Sequence, residues 1–352
     1  MAIKGKIIDL FSGIGGFSLG FEKVGFKSIL AIDNWSDAIQ SYNLNRKHKV
    51  GTVKGIETFS NKDLKEIVKK EGKIDGIIGG PPCQGFSMVG TRKKGDDRNS
   101  LYLHFVRFVD QIKPNFFILE NVKGLVSMSG GYFKRDIIDR FSKLGYNVNY
   151  SILKASDYGL PQNRERVFFV GFLNKTYNNL YFEFPEKSNI RLGTKDALND
   201  LPLLDHNPQN RKYRFLPEND FQRMMRINPV KDLKNHDITN HTEKTLEIIS
   251  QVPDGGNIKD IDPKYYKVRN YNAAFKRMNS SKPSITIDCG HRNYFHFSEN
   301  RVPTARESAR IQTFPDNFEF YGSKTSQYTQ IGNAVPPMLS YQIAKKIVDL
   351  CY

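Results

Sequence analysis

The sequence predicts an α/β protein: a sheet of parallel strands wound with helices, followed by a smaller irregular domain. Three observations carry that prediction. Short apolar runs alternate with longer amphipathic stretches through the first half of the chain, the rhythm of βαβ units. The rhythm stops near Lys175, after which residues 176–300 scatter Pro, Asn and single charges with weak periodicity. Near the end, residues 338–350 return to a clean amphipathic helix. In order, the spacing predicts a strand over 7–11, a helix over 17–24, a strand over 28–32 and a helix over 37–44. A charged helix over 62–70 leads to a buried strand over 74–78. Residues 101–112 are apolar at helical spacing, and strands follow over 116–119 and 167–172. No internal repeat or low-complexity segment interrupts this order.

Composition narrows the function. At 352 residues, with 39% hydrophobic and 12% aromatic content, the chain has enough apolar material for a packed interior and is not mainly disordered. Mean hydropathy is −0.52, and no apolar run approaches the ~18 residues of a membrane span. The first residues lack the charged-then-apolar layout of a signal peptide, which points to a cytoplasmic protein. Three cysteines (Cys83, Cys289 and Cys351) are too few for a disulfide scaffold and suit a reducing compartment. The net charge of +16 and pI of about 9.5 favour a polyanionic partner.

Four segments carry chemistry. After the first strand, Gly13, Gly15, Gly16 and Gly20 give the spacing GxGGxxxG. Glycines there let the chain turn tightly and bring a ligand to backbone N–H groups at a helix N-terminus. Asp33, at the end of the second strand, is placed to accept hydrogen bonds from ribose hydroxyls. Together they argue for an adenosine-containing cofactor without saying which; a tight turn that binds nothing is the alternative. In the second segment, Gly79-Gly80-Pro81-Pro82-Cys83, a thiol at the end of a sheet strand suits an exposed nucleophile better than core packing. Cys289 and Cys351 lack that setting and read as structural. In the third, Glu120 closes the strand over 116–119, where it can reach a substrate held over Cys83. In the fourth, between Pro263 and Ile287, Lys264, Lys267, Arg269, Lys276, Arg277 and Lys282 occur with no acidic residue. Tyr265, Tyr266, Tyr271 and Phe275 are interleaved, as in a nucleic-acid surface, although a solvated charged face would look the same. The seven histidines show no metal-ligand spacing, so no metal is expected.

These segments resemble, in order, the motifs of DNA cytosine-5 methyltransferases. The series runs from Asp9-Leu-Phe-Ser-Gly-Ile-Gly-Gly16 through Pro81-Pro82-Cys83-Gln84-Gly85-Phe86-Ser87 to Glu120-Asn121-Val122. It continues with Gln162-Asn-Arg164-Glu-Arg166, Arg306-Glu-Ser-Ala-Arg-Ile-Gln-Thr-Phe-Pro315 and Gly332-Asn333-Ala-Val-Pro-Pro337. The resemblance implies a Rossmann-like S-adenosylmethionine-dependent methyltransferase sheet with a smaller irregular DNA-recognition domain. Catalytic and cofactor-binding residues would lie in 1–185, target recognition and a hinge in 186–318, and a returning segment in 319–352.

The resemblance also implies roles. Cys83 attacks carbon 6 of cytosine, and Glu120 hydrogen-bonds or protonates ring nitrogen 3. Arg164 and Arg166, two apart on a strand and so on one face, hold the base and the carboxylate region, with Arg166 nearer the base. S-adenosylmethionine would be held by Phe11, Gly13, Gly15 and Asp33, with Asn34, Pro82, Leu101 and Asn333. Relatives place an apolar or aromatic residue at Asn34, and an acid before Ile56, where this chain has Gly55. Ser87 would meet DNA beside the nucleophile, Arg92, Lys93 and Arg98 from a mobile, phosphate-touching lid over 88–100, and Lys267 and Arg269 from the recognition domain.

The expected substrate is double-stranded DNA with its target base flipped out of the stack. A monomer is expected, and a cognate restriction endonuclease would act on the same site without stable contact. A tRNA methyltransferase of the same architecture is the rival; the long variable segment before Arg306 favours DNA. Intact Cys83 and Glu120 argue against a catalytically silent nucleic-acid binder. A nicotinamide-dependent oxidoreductase would leave Pro82-Cys83 unexplained.

Overall fold

The computed structural model describes residues 3–82, 100–178, 180–205, 207–268, 275–290 and 294–352, with the side chains of 100, 267 and 268 left out. The first apolar run forms β1 (Gly5–Leu10) in the interior of a seven-stranded sheet. β2 (Phe26–Asp33) and β3 (Gly51–Val53) extend the sheet on one side in parallel. On the other side β4 (Gly76–Gly79) and β5 (Phe116–Val122) do the same. β6 (Tyr146–Lys154) and β7 (Glu165–Leu173) complete the order β3-β2-β1-β4-β5-β7-β6.

The expected parallel pattern holds through β5 and then breaks. β7 lies between β5 and β6 and is antiparallel to both. β3 and β6 were not expected from the sequence. β3 has three residues, and β6 alternates polar and apolar side chains at the sheet edge, so neither shows the continuous apolar run of a strand buried on both faces. β4 and most of β5 do show it, every residue being buried except Val122.

Helices α1 (Gly16–Lys23), α2 (Ser36–Leu44), α3 (Asn61–Glu71), α4 (Ser100–Ile112) and α5 (Met128–Lys143) connect the strands. α5 was also missed, because positive φ at Ser129, Gly130 and Gly131 interrupts its first turn. The helix Pro337–Cys351 packs against α1. Gly20 permits that approach: a Cβ there would lie 2.4 Å from the Tyr341 amide nitrogen. Phe21, Phe26 and Phe116 meet in this core, where each fully buried ring contributes roughly 1.5–3 kcal/mol.

The described chain divides into two compact units. The first comprises Met1–Lys154, Glu165–Glu186 and Pro337–Tyr352; the second comprises Ala155–Arg164 and Lys187–Pro336. This division differs from the expected one at two places. The return to the first unit starts at Pro337 rather than 319, because the helix Lys324–Asn333 packs against the helix Ala305–Ile311 within the second unit. The ten-residue link between β6 and β7 also belongs to the second unit.

The second unit has short helices and a two-stranded pair, Lys276–Arg277 with Tyr294–Phe295. A backbone with so few ladders leaves carbonyls needing donors, and buried arginines supply them. Arg306 donates to the Lys234, Pro315 and Phe318 carbonyls. Arg310 pairs with Asp200 and Asp316, and Arg301 with Glu299 and Glu307. No helix among the described residues is long and apolar enough to cross a membrane.

Candidate active site

The turn after β1 is built from three residues with positive φ: Phe11 at 56°, Gly13 at 51° and Gly15 at 78°. At Gly15 a side chain is impossible, since a Cβ would stand 2.4 Å from the Tyr42 ring and 2.7 Å from Arg46 Nη2. At Gly13 the same direction is open, with nothing within 4 Å among the described residues. Asp33, at the end of β2, accepts from the Gly13 amide through Oδ2 at 2.8 Å and from the Trp35 amide through Oδ1 at 2.9 Å. Burial raises its pKa, and the backbone donors of Trp35, Gly13 and Asn34 oppose that rise. These contacts give Asp33 a structural task besides its expected one, because its carboxylate ties the turn to β2. Each oxygen keeps a lone pair for a further donor.

Phe11 and Leu101 are half-buried, whereas Asn34 and Pro82 are exposed. The Ser12 hydroxyl is buried with no hydrogen-bond partner among the described residues, next in sequence to the open direction at Gly13. A polar hollow of this kind fits a cofactor with hydroxyl and amino groups. At Gly55, where the expected acid is missing, the Glu57 carboxylate lies over the residue, 1.9 Å from where a Cβ would stand. The chain thus has an acid directly after Ile56 and none directly before it. Asn333 is exposed in the second unit, and its Oδ1 accepts from the Cys289 thiol at 3.0 Å.

The second part of the site forms where β4 and β5 end side by side. Their parallel register pairs Gly79 with Leu119, which brings Gly80 beside Glu120. A Cβ on Gly80 would stand 2.7 Å from Glu120 Oε2. Asn121 Nδ2 donates to the Pro81 carbonyl at 2.8 Å and ties the segment after β4 to β5. The sequence named Asn121 within its motif but assigned it no task.

Glu120 lies inside β5 rather than beyond it, and its Oε1 pairs with Arg166 Nε at 3.1 Å. The register explains that pair. Val122 faces Arg166 and Glu120 faces Phe168, so Glu120 and Arg166 are diagonal neighbours on one face of the ladder. Cys83, Ser87, Arg92, Lys93 and Arg98 lie outside the described residues.

Arg164 departs from its expected position. β7 begins at Glu165, so Arg164 precedes the strand and does not share a strand face with Arg166. It is 1% exposed within the second unit, where its Nη1 donates to the Ile287 carbonyl at 3.2 Å. Gln162 works beside it, accepting from the Ile287 amide and donating to Gln312, each at 2.8 Å. In this structure Arg164 holds the backbone near Ile287.

The basic stretch divides in the same way. Lys264, Lys276 and Lys282 are exposed. The side chain of Lys267 and the whole of Arg269 lie outside the description. Arg277 is 5% exposed and its donors are taken by the Ile249, Val252, His296 and Glu299 carbonyls and by Asn300. It is a structural strut and cannot serve a phosphate. Tyr265 and Phe275 belong to an apolar cluster with Ile248, Ile249, Phe295 and Val302. A cleft of about 280 Å³ opens beside Lys276 and Lys282, lined also by Asn163 and Asn279.

Comparison with known proteins gives the family and the fold. The family model described as C-5 cytosine-specific DNA methylase matches residues 5–349. The type II methyltransferase M.DdeI of Desulfomicrobium norvegicum is 39% identical, over 97% of this chain and 88% of that protein. M1.HphI of Haemophilus parahaemolyticus, also a type II methyltransferase, is 36% identical over 97% and 86%. Among solved structures, a prophage-encoded DNA modification methyltransferase from E. coli superposes with a TM-score of 0.83 at 28% identity, covering 99% of each chain. The S. pombe Dnmt2 methyltransferase shares the fold, with a TM-score of 0.64 at 19% identity over 99% and 100%.

Proposed function

The chain belongs to the C-5 cytosine-specific DNA methylase family, and from that premise we propose that it methylates carbon 5 of a flipped-out cytosine in a specific double-stranded DNA sequence, through a covalent Cys83 adduct. The enzyme is a DNA (cytosine-5) methyltransferase of restriction–modification type. The observation that supports the chemistry best is the Glu120–Arg166 pair set against Gly80–Pro82, the residues that lead into Cys83.

Carbon 5 of cytosine is a poor nucleophile. Attack of the Cys83 thiolate on carbon 6 forms the S–C bond and moves the ring's π pair toward carbon 5. Glu120 carries the proton shared with ring nitrogen 3 and so draws electron density away from carbon 6. Arg166 holds the Glu120 carboxyl group in place for that contact. S-adenosylmethionine, when bound, supplies the methyl group as an electrophile. Loss of the carbon 5 proton and departure of Cys83 then restore the ring.

In the first unit, Phe11, Gly13, Gly15, Asp33, Asn34, Pro82 and Leu101 would hold that cofactor, with Glu57 as the acid near the adenine. Asn333 is a further cofactor contact that the family resemblance implies. Ser12 and the open space at Gly13 support the fit. Ser87 would meet DNA beside the nucleophile, Arg92, Lys93 and Arg98 would meet phosphates from the lid, and Lys267 and Arg269 would meet DNA from the second unit. The protein would work as a monomer in the cytoplasm, at the nucleoid. It would share its site with a cognate endonuclease without stable contact. Domain limits near 186 and 337 would separate catalysis from target reading.

Bisulfite sequencing of host DNA after expression reads substrate and site together. Duplexes carrying 5-fluorocytosine at that site should then trap the protein, because fluorine replaces the proton that must leave. Unconverted cytosines confined to one sequence context, with a denaturation-resistant adduct, are expected. Methylation without any adduct would overturn the covalent route, and methylation of tRNA instead of DNA would overturn the substrate.

A further inference from the structure

Behind the glycine turn of the first unit lies a closed polar cluster centred on Arg46, which follows α2. Its side chain is 8% exposed. Nε donates to both oxygens of Glu22, at 3.0 and 3.1 Å. Nη1 donates to the Tyr42 carbonyl at 3.1 Å, and Nη2 to the Gly15 carbonyl at 3.0 Å and the Ser18 hydroxyl at 3.2 Å. The guanidinium also lies 3.6 Å from the centre of the Tyr42 ring. Ser18 returns to the same carbonyl, its hydroxyl donating to Gly15 at 3.2 Å. Glu22 is fixed in turn by the Ser28 hydroxyl at 2.6 Å.

Capping the end of α2 requires none of this, since an exposed lysine could reach a last-turn carbonyl from solvent. Of the additional bonds, those of Nη2 and of the Ser18 hydroxyl reach the turn at the Gly15 carbonyl, and those of Nε to Glu22 fix the guanidinium that makes them. Arg46 holds the Gly15 carbonyl from behind, while Asp33 holds the Gly13 amide from the side. The open direction at Gly13 is left free. A glycine-rich turn with three positive-φ residues would otherwise sample many shapes, and a ligand binding there would have to order it.

We propose that Arg46 is a positioning residue for the cofactor: it clamps the turn of residues 11–16 in the shape that receives S-adenosylmethionine, without touching the ligand. The inference rests on reading that turn as the cofactor site. The planar fork of arginine suits the task, because it bridges Glu22 and Gly15 at once in a fixed geometry, which an ammonium cannot do.

The test uses the full-length protein and its Arg46→Met, Arg46→Lys and Glu22→Gln variants. S-adenosylhomocysteine is titrated calorimetrically, and KM for S-adenosylmethionine, kcat and the melting temperature are measured alongside. Arg46→Met should weaken binding and raise KM by about tenfold, the scale of losing charge-assisted hydrogen bonds, and leave kcat at saturation within about twofold. Arg46→Lys should recover part of the affinity. Glu22→Gln, which keeps every donor to the turn but loosens its anchor, should fall between wild type and Arg46→Met. A lower melting temperature with unchanged affinity would make Arg46 a structural residue and overturn the proposal. So would a fall in kcat with affinity intact. If Arg46→Met does not fold, unchanged affinity in both other variants overturns it equally. Wild-type protein that binds no S-adenosylhomocysteine would instead remove the cofactor reading beneath it.

Discussion

Arg166 Nε stands 3.1 Å from Glu120 Oε1, and the two residues reach each other from antiparallel strands. Both belong to strands of the seven-stranded sheet, so the pair is held by the strand register. Both side chains are mostly buried, 18% and 11% exposed, where a charge-assisted contact is better shielded from solvent than at the surface.

Glu120→Gln should lower kcat by about 10²–10⁴-fold, the usual contribution of a placed acid–base group. Arg166→Met should cost nearly as much, and the double variant little more than either alone, because residues that act as a unit are not additive. Single-turnover methylation of a target duplex measures this. Fully additive losses would show that the two act separately.

Gly80→Ala tests the same corner from the other side. The new methyl group would stand 2.7 Å from Glu120 Oε2, so the carboxylate must swing away. Because the obstacle is the end of a flexible side chain, stability should fall by less than about 1 kcal/mol while kcat falls at least about tenfold. Retention of wild-type kcat would mean that the position of Glu120 is not critical.

Asp9 gives a pH prediction. It lies in β1 between Ala31 and Ile78 and is 1% exposed, and among the described residues no hydrogen bond of good geometry reaches either carboxyl oxygen. Burial pushes its pKa up to about 7, with Ser18 and Arg46 pulling the other way. The folded protein therefore keeps a proton that the unfolded chain releases near pH 4. That stabilisation is complete below pH 4 and is lost as pH rises through 7. Asp9→Asn has no such titration. The stability of wild type relative to this variant should thus fall by roughly 2–3 kcal/mol between pH 5 and pH 8. Urea unfolding at both pH values measures the difference, and a constant difference would refute it.

Arg301 is predicted to be critical for the second unit. It pairs with Glu307 at 2.7 and 2.8 Å and also with Glu299, all three side chains being buried. Burial raises the Glu307 carboxyl, but Arg301 outweighs it and holds that group below the usual range. The nearby imidazoles cannot take over, since burial pushes His236 down to about 4 and His296 to about 3, leaving both neutral. Arg301→Met should destabilise the protein by about 3–5 kcal/mol, because two carboxylates lose their cation. A change under about 1 kcal/mol in urea unfolding would contradict this.

The glycine turn, Asp33 at its strand end, the strand before Gly80-Pro81 and the strand bearing Glu120 were legible in the sequence by itself. Each is a local signal: a turn that needs glycine, an acid at a strand end, a short apolar run before a reactive side chain. Local signals survive because they depend on neighbours in the chain, and they also sufficed for the family resemblance and for the helix that returns at the C-terminus.

Tertiary structure alone decided the rest. Arg164 and Arg166 are two residues apart, yet one braces the second unit near Ile287 and the other pairs with Glu120. Arg277 reads as part of a basic surface but is consumed by backbone carbonyls. The direction of β7 likewise depends on which distant strands it pairs with, and that pairing chose Arg166 as the partner of Glu120. Strand order and register are set by long-range burial, and a side chain's partner follows from register, so the spacing of residues along the chain did not contain it.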